Sequence, residues 1–129
     1  LITVHRTGKV VRIPLRSERE KPPEEQTSLL VRVLDFDDYR RVIQAAGNIT
    51  THYEHSLETI RKVLGLSLVG VENLKIADDN GEVKEFVLER AGSEITKASM
   101  SVLAPWVDEI LDSITKAFTF GLTDAKNSR

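Results

Sequence analysis

Residues 68–86 read "LVGVENLKIADDNGEVKEF", and the role of their acidic middle decides how the chain is read. Asp78, Asp79, Asn80, Gly81 and Glu82 stand together there. If Gly81 were the glycine of an EF-hand loop, the first and last ligand positions would fall on Ile76 and Val87, and neither side chain can hold calcium. The pattern predicts a hairpin instead. "NLKIA" and "EVKEFVL" are short extended runs, and Asn80-Gly81 between them tolerates the left-handed backbone angles of a turn. Upstream, "LSLVGV" is short and apolar, so periodicity leaves open whether it closes a helix or begins a strand.

Working outward towards the N-terminus, Thr51-His52-Tyr53-Glu54 has the form of a capping box, in which hydroxyl and carboxylate each satisfy an orphan amide. The helix it opens carries Tyr53, Leu57, Ile60 and Leu64 on one stripe with Val63 beside it, pairs Glu58 with Lys62, and is expected to end near Gly65 or Gly70. Before it, Asp35 is a good N-cap, Asp37 and Asp38 favour the positive end of the helix dipole, and Gly47 suits the left-handed C′ position. Phe36, Tyr39, Val42, Ile43 and Ala46 form the apolar face of that short helix, and Leu34 with Tyr39 could close a hydrophobic staple. "SLLVRVL" ahead of it reads as a strand.

Residues 17–27, "SEREKPPEEQT", are charged, contain Pro22-Pro23 and have no apolar anchor, which predicts an exposed, flexible linker. In "KVVRIPLRS", Val11, Ile13 and Leu15 share one parity and Arg12 and Arg16 the other, the period of a half-buried strand. With Ile2 and Val4 alternating upstream of the Thr7-Gly8 turn signal, the first 16 residues predict an N-terminal hairpin, and Pro14, which lacks an amide donor, restricts its second strand to an edge or a bulge.

Towards the C-terminus, "VKEFVLER" is a strand candidate and Gly92-Ser93 opens a helical region, with Ser93, Thr96 and Ser99 as possible caps. Pro105 fits the first turn of a last helix whose face is Trp106, Ile110, Ile114 and Phe118, flanked by Val107 and Leu111. The tail, about 121–129, is polar. The expected fold class is therefore α+β: an N-terminal β-hairpin and a small antiparallel sheet packed with three or four amphipathic helices, in a single domain spanning 1–129.

A chain of 129 residues, 40% of them hydrophobic, has material for one ordinary core and not for two. It has no cysteine, so a disulfide framework, a thiol nucleophile and a thiolate metal site are excluded. No apolar run approaches the length of about 18 residues that a membrane span needs, and the first residues lack the pattern of a signal peptide. These features predict a soluble, cytoplasmic protein without membrane contact. Residues 1–23 carry six Lys and Arg against two acids, which leaves the remainder near −6 within a total of −2. All seven aromatic residues lie at Phe36 or later, so this basic arm offers no stacking platform for bases, and a solvated face is favoured over nucleic-acid binding.

Chemistry finds little support. His52 and His55 sit one helical turn apart, yet H-x-x-H is not the H-E-x-x-H of zinc peptidases and spacing supplies no third ligand. "GLSLVG" around Ser67 is not a G-x-S-x-G nucleophile elbow, and no phosphate-cradling glycine loop occurs. The expectation is no catalytic residue, no cofactor and no metal. What remains is apolar helix surface, which either packs on the protein's own core or binds a partner.

In "LVGVENLKIADDNGEVKEF" the chain resembles the tail assembly chaperones of long-tailed bacteriophages. That family shows a glycine and an aromatic or aliphatic residue before "ENL", an acidic "D-x-D-G" turn, and a strand ending in phenylalanine. The matching positions are Gly70, Val71, Glu72, Asn73, Leu74, Asp79, Asn80, Gly81 and Phe86, with Val71 where the family most often has tryptophan. Pro23 through Tyr39 is similar to the family's "P-x-x-x-x-L-x-V-x-x-L" region and short helix, and Trp106 through Ser128 to its closing helix and "KNS" tail, so the resemblance touches about two thirds of the chain.

The resemblance implies a non-enzymatic protein of the host cytoplasm that binds the tape measure protein during assembly, keeps that long helical chain soluble and helps recruit the tail tube protein. It implies absence from the finished virion and, in many such phages, a longer form made by ribosomal frameshifting. A holdase of this kind gains from many weak contacts and from self-association into a homo-oligomer along its client. Tyr53, Leu57, Ile60 and Leu64 are then the first candidate surface, and Trp106 with Ile110 the second. The alternative from another class is a virion structural protein, either a head-tail connection or a tail accessory subunit.

Overall fold

The computed structural model describes residues 6–47 and 53–119, with side-chain surroundings for 6–45 and 57–117. The architecture is α+β, as the alternation of periods in the sequence predicts. Its main sheet has three antiparallel strands in the order β1 (Val10–Pro14), β2 (Ser28–Arg32), β3 (Leu68–Glu72). Val11 pairs with Val31 and Ile13 with Leu29, so Val11, Ile13, Leu29 and Val31 point to one face, and all are buried. Pro14 lies on β1, at an edge of the sheet among the described residues, where its missing amide removes no bond to a further strand.

The partner of β1 is β2, reached across residues 17–27, and the pairing continues past β1 through Gly8 N to Val33 O at 2.8 Å and Val33 N to Lys9 O at 2.8 Å. Residues 1–5, the first arm of the expected N-terminal hairpin, lie outside the described residues, as does the polar tail. The Thr7-Gly8 turn is present, with Gly8 at φ 90° and Lys9 N donating to Arg6 O.

Helix α1 (Phe36–Gly47) starts where its cap predicts: the Asp35 carboxylate accepts from Asp38 N at 2.9 Å. Its buried face differs from the expected one. Val42 and Ala45 are in the core and Tyr39 packs against it, while Phe36 is 68% and Ile43 41% exposed. Phe36 and Ile43 lie about 100° or more round the helix from Val42, on the flank that faces neither the sheet nor the other helices.

Helix α2 (Tyr53–Ser67) runs past the expected stop at Gly65 by two residues and hands over directly to β3, which resolves "LSLVGV" into a final turn followed by a strand. The glycine serves contact rather than termination. A Cβ on Gly65 would lie 2.9 Å from the Ser93 carbonyl carbon, nearer still to its oxygen, and 3.3 Å from Glu94 Cα. Arg90 completes the junction by donating to Gly65 O in the last turn of α2, at 2.7 Å, and to Leu68 O at the start of β3. The capping box Thr51–Glu54 lies outside the described side chains.

Gly92 and Ser93 do not open a helix. They form the two-residue loop between β6 (Arg90–Ala91) and β7 (Glu94–Ile95), with Gly92 at φ 67°, and it is this loop that rests on Gly65. Of the three cap candidates Thr96 is used: its hydroxyl accepts from Ser99 N at 3.2 Å to start α3 (Lys97–Leu103). A 3-10 turn, Ala104–Trp106, carries Pro105 and leads into α4 (Val107–Thr119). Ile110, Ile114, Val107 and Leu111 are buried as expected, and α4 packs on β2 and α1.

Residues 17–27 are exposed through Arg19–Glu25, but the structure ties them down instead of leaving them free. Gln26, 7% exposed, donates to Arg19 O at 3.2 Å and Lys21 O at 3.1 Å and accepts from Arg12 Nη1 at 3.2 Å. Polar side chains thus supply the anchor that the missing apolar residues could not.

Ion pairs fix the N-terminal part of α4. Asp112 accepts from Arg16 at 2.7 Å and from Lys116 at 3.0 Å. Burial opposes its charge, but the hydrogen bonds from Lys116 and Arg16 outweigh it and hold the carboxyl below its ordinary value. Hydrogen bonds from Lys21 and from the Thr27 amide hold the Glu18 carboxyl down in the same way, and Arg61 holds down Glu58. A depressed folded-state value means that the contribution is complete above the ordinary carboxylate value and is lost as pH falls through the lowered folded one. Thermal melts are expected to show a midpoint that drops on acidification below about pH 4.5, with a shallower drop for Asp112→Asn. An identical acid limb in that variant would remove Asp112 from the account.

Candidate interaction surface

The six positions first expected to meet a partner divide sharply in the structure. Ile60, Leu64 and Ile110 are at most 0% exposed and sit in the hydrophobic core, so the stripes they define face inward. The reason is geometric: α2 packs against α1 and β7, and α4 against β2 and α1, which consumes both apolar faces. Trp106 is half-buried against the same core, Leu57 is half-exposed at the rim of α2, and the Tyr53 side chain lies outside the described ones. Leu57 and Trp106 are therefore the members of the set that the structure leaves accessible.

The exposed large apolar side chains lie elsewhere. Among the described residues they are Val10, Phe36, Ile43, Ile76, Val83 and Val87. The last three belong to an arm that leaves the sheet after β3: strands β4 (Lys75–Ala77) and β5 (Val83–Glu85), paired antiparallel with Ile76 opposite Lys84.

The arm's tip is the acidic cluster. Gly81 N donates to Asp78 O at 3.0 Å and Asp78 N to Glu82 O at 2.8 Å, which makes a three-residue loop with Gly81 at φ 80°. Asn80 does not take the left-handed conformation; among the described residues Asn73 is the non-glycine that does, at φ 57°. Asp78 has a structural task beyond keeping the tip wet, since its carboxylate accepts from Asn80 N and Glu82 N at 2.9 Å each.

The base of the arm is Glu72-Asn73-Leu74. Glu72 accepts from Arg12 Nε at 2.9 Å, on the sheet face opposite the core. The Asn73 amide donates to Glu24 O and Gln26 O at 3.0 Å each, and its carbonyl accepts from Thr27 Oγ1 at 2.7 Å. Leu74 O accepts from Phe86 N at 2.7 Å, and Phe86 is buried at 6% exposure. Three consecutive residues therefore join the sheet, the 17–27 segment and the arm.

Between the arm and α3 runs an open cleft of about 400 Å³, lined by Ile76, Phe86, Val87, Ala98 and Val102 with Asp78, Lys84, Glu85 and Glu89 at its margin. Sequence reading missed it for a definable reason. In "EVKEFVLER" both parities carry apolar residues, Val83 and Val87 on one and Phe86 and Leu88 on the other, so alternation does not say which turns inward. Phe86, the largest, is buried, and Val83 and Val87 are left 60% and 72% exposed.

Among the described residues no group of three or more His, Cys, Asp or Glu is placed to hold a metal ion, and His52 and His55 lie outside the described side chains. No helix among them is long and apolar enough to cross a membrane. Comparison with protein-family models, with curated proteins and with solved structures gives no significant match.

Proposed function

We propose that this protein is a non-enzymatic tail assembly chaperone of a long-tailed bacteriophage, which binds the tape measure protein in the host cytoplasm and assists assembly of the tail tube. The observation that supports this reading is that the residues carrying the resemblance work as one unit. Gly70 and Val71 lie within a strand, Glu72-Asn73-Leu74 forms a three-way junction, Asp79-Asn80-Gly81 is the tip of an arm, and Phe86 anchors its return. In this chain the glycine, acid and amide of the pattern serve a turn in one place and a junction in another, and the resemblance itself rests on those sequence positions.

In this reading the client meets side chains that the fold does not use internally, Leu57, Phe36 and Ile43 on the helices and Val83 and Val87 on the arm. Scattered apolar contacts suit a holdase, because a long client engages several copies at once and each contact can be weak. Mass spectrometry of purified virions, compared with lysates of infected cells, separates this function from a structural one. The chaperone is expected in lysates and absent from virions; a stoichiometric amount in virions would assign the protein to the head-tail connection or a tail accessory position.

A further inference from the structure

We infer that the cleft between the arm and α3 takes an apolar polypeptide segment flanked by Lys or Arg. The inference deepens the proposed function, resting on the reading that the protein binds another polypeptide, and it assigns that contact to one place and one chemistry. Three of the six exposed large apolar residues among the described ones, Ile76, Val83 and Val87, belong to the arm and its outgoing chain, and Ile76 and Val87 line the cleft itself. Ile76, Phe86, Val87, Ala98 and Val102 make up the apolar half of the lining and offer burial to aliphatic side chains.

The margin supplies the selection. Residues 75–89 hold five acids, Asp78, Asp79, Glu82, Glu85 and Glu89, against Lys75 and Lys84. Among the described residues no ion pair engages any of them, although Arg12, Arg16, Lys21, Arg61 and Lys116 elsewhere all have carboxylate partners. Asp78 is committed to the turn amides, which leaves Glu85 and Glu89 as unpaired carboxylates beside an apolar floor. An entering segment with basic flanks would gain attraction from this margin and one with acidic flanks would be repelled, so charge selects the occupant.

The test uses the whole chain and a labelled synthetic peptide of leucine and valine with two lysines at each end, beside a twin in which glutamates replace the lysines. Fluorescence anisotropy is expected to show saturable binding of the lysine peptide, weakening as salt is raised, and about tenfold or greater weakening for the glutamate twin. Val87→Asp, at a position that is 72% exposed, and the double change Glu85→Lys with Glu89→Lys are each expected to weaken the lysine peptide by about tenfold or more. Val10→Asp, on β1 and away from the cleft, should bind as the wild type does, with thermal melts establishing that all variants are folded. Failure of the wild type to bind the lysine peptide, equal affinity for the two peptides, or unweakened binding by Val87→Asp would overturn the inference. None of these readings involves a phage protein, so the proposed function stands or falls separately by co-purification with the tape measure protein.

Discussion

Gly65→Ala is expected to lower the free energy of unfolding by about 3 kcal/mol, the upper range for overpacking a closed site. Helix propensity alone argues the other way: Gly65 lies within α2, where alanine would be preferred by about 1 kcal/mol if the space beside it were open. The space is closed by main chain. The added methyl would meet the Ser93 carbonyl carbon at 2.9 Å and Glu94 Cα at 3.3 Å, and neither can rotate away as a side chain could. Relief requires moving the β6–β7 loop, which is held by Arg90 on Gly65 O and Leu68 O and by Arg61 on Ile95 O at 2.7 Å. Gly70 is the control, because a methyl there meets the Leu30 Cδ1 at an ordinary 3.5 Å. Urea denaturation of both variants decides the matter, and a Gly65→Ala protein as stable as wild type would mean that α2 and the loop do not pack as described.

Asn73→Ala is expected to cost about 2 to 3 kcal/mol, the sum of about 1 to 2 kcal/mol for a left-handed conformation that alanine resists and about 0.5 kcal/mol for each of two hydrogen bonds lost at an exposed position. Asn73 is exposed, so hydration of the freed Glu24 and Gln26 carbonyls keeps the figure from rising further. Asn73→Gly separates the two terms. Glycine accepts φ 57° without strain and loses only the side-chain bonds, so its cost should be about 1 kcal/mol. If alanine and glycine destabilise equally, the backbone conformation carries no share. Amide exchange adds a spatial check: in either variant, protection should fall in 23–27 and at the base of the arm and persist in α4.

How much of this was legible beforehand follows from what each signal encodes. The Asp35 cap, the strand parity of Val11, Ile13 and Leu15, and the face of α4 were readable because each depends on residues adjacent in sequence or one period apart. The turn at Gly81 was readable for the same reason. What escaped depends on partners far away along the chain. Gly65 looks like a helix stop until Ser93 is placed against it, and residues 17–27 look unanchored until Arg12 and Asn73 are placed beside Gln26. Phe36 and Ile43 satisfied the helical period yet remain exposed, because periodicity defines an apolar arc and the neighbours choose its centre.

The candidate surface was less legible than the fold. A stripe such as Leu57, Ile60 and Leu64 has the same spacing whether it meets a client or a sheet, and here Ile60 and Leu64 meet the core. The "ENL" motif was recognisable as a pattern without its reason. Its reason is the junction: Glu72 reaches Arg12, Asn73 reaches Glu24 and Gln26, and Leu74 pairs with Phe86.

In the proposed function this protein binds and solubilises a tape measure protein. The most direct test is co-expression with the tape measure protein of the same phage, followed by centrifugation and affinity purification through a tag on this chain. The account predicts that a client insoluble by itself moves to the supernatant and co-purifies. A client that stays in the pellet, with none retained on the tagged protein, would contradict it.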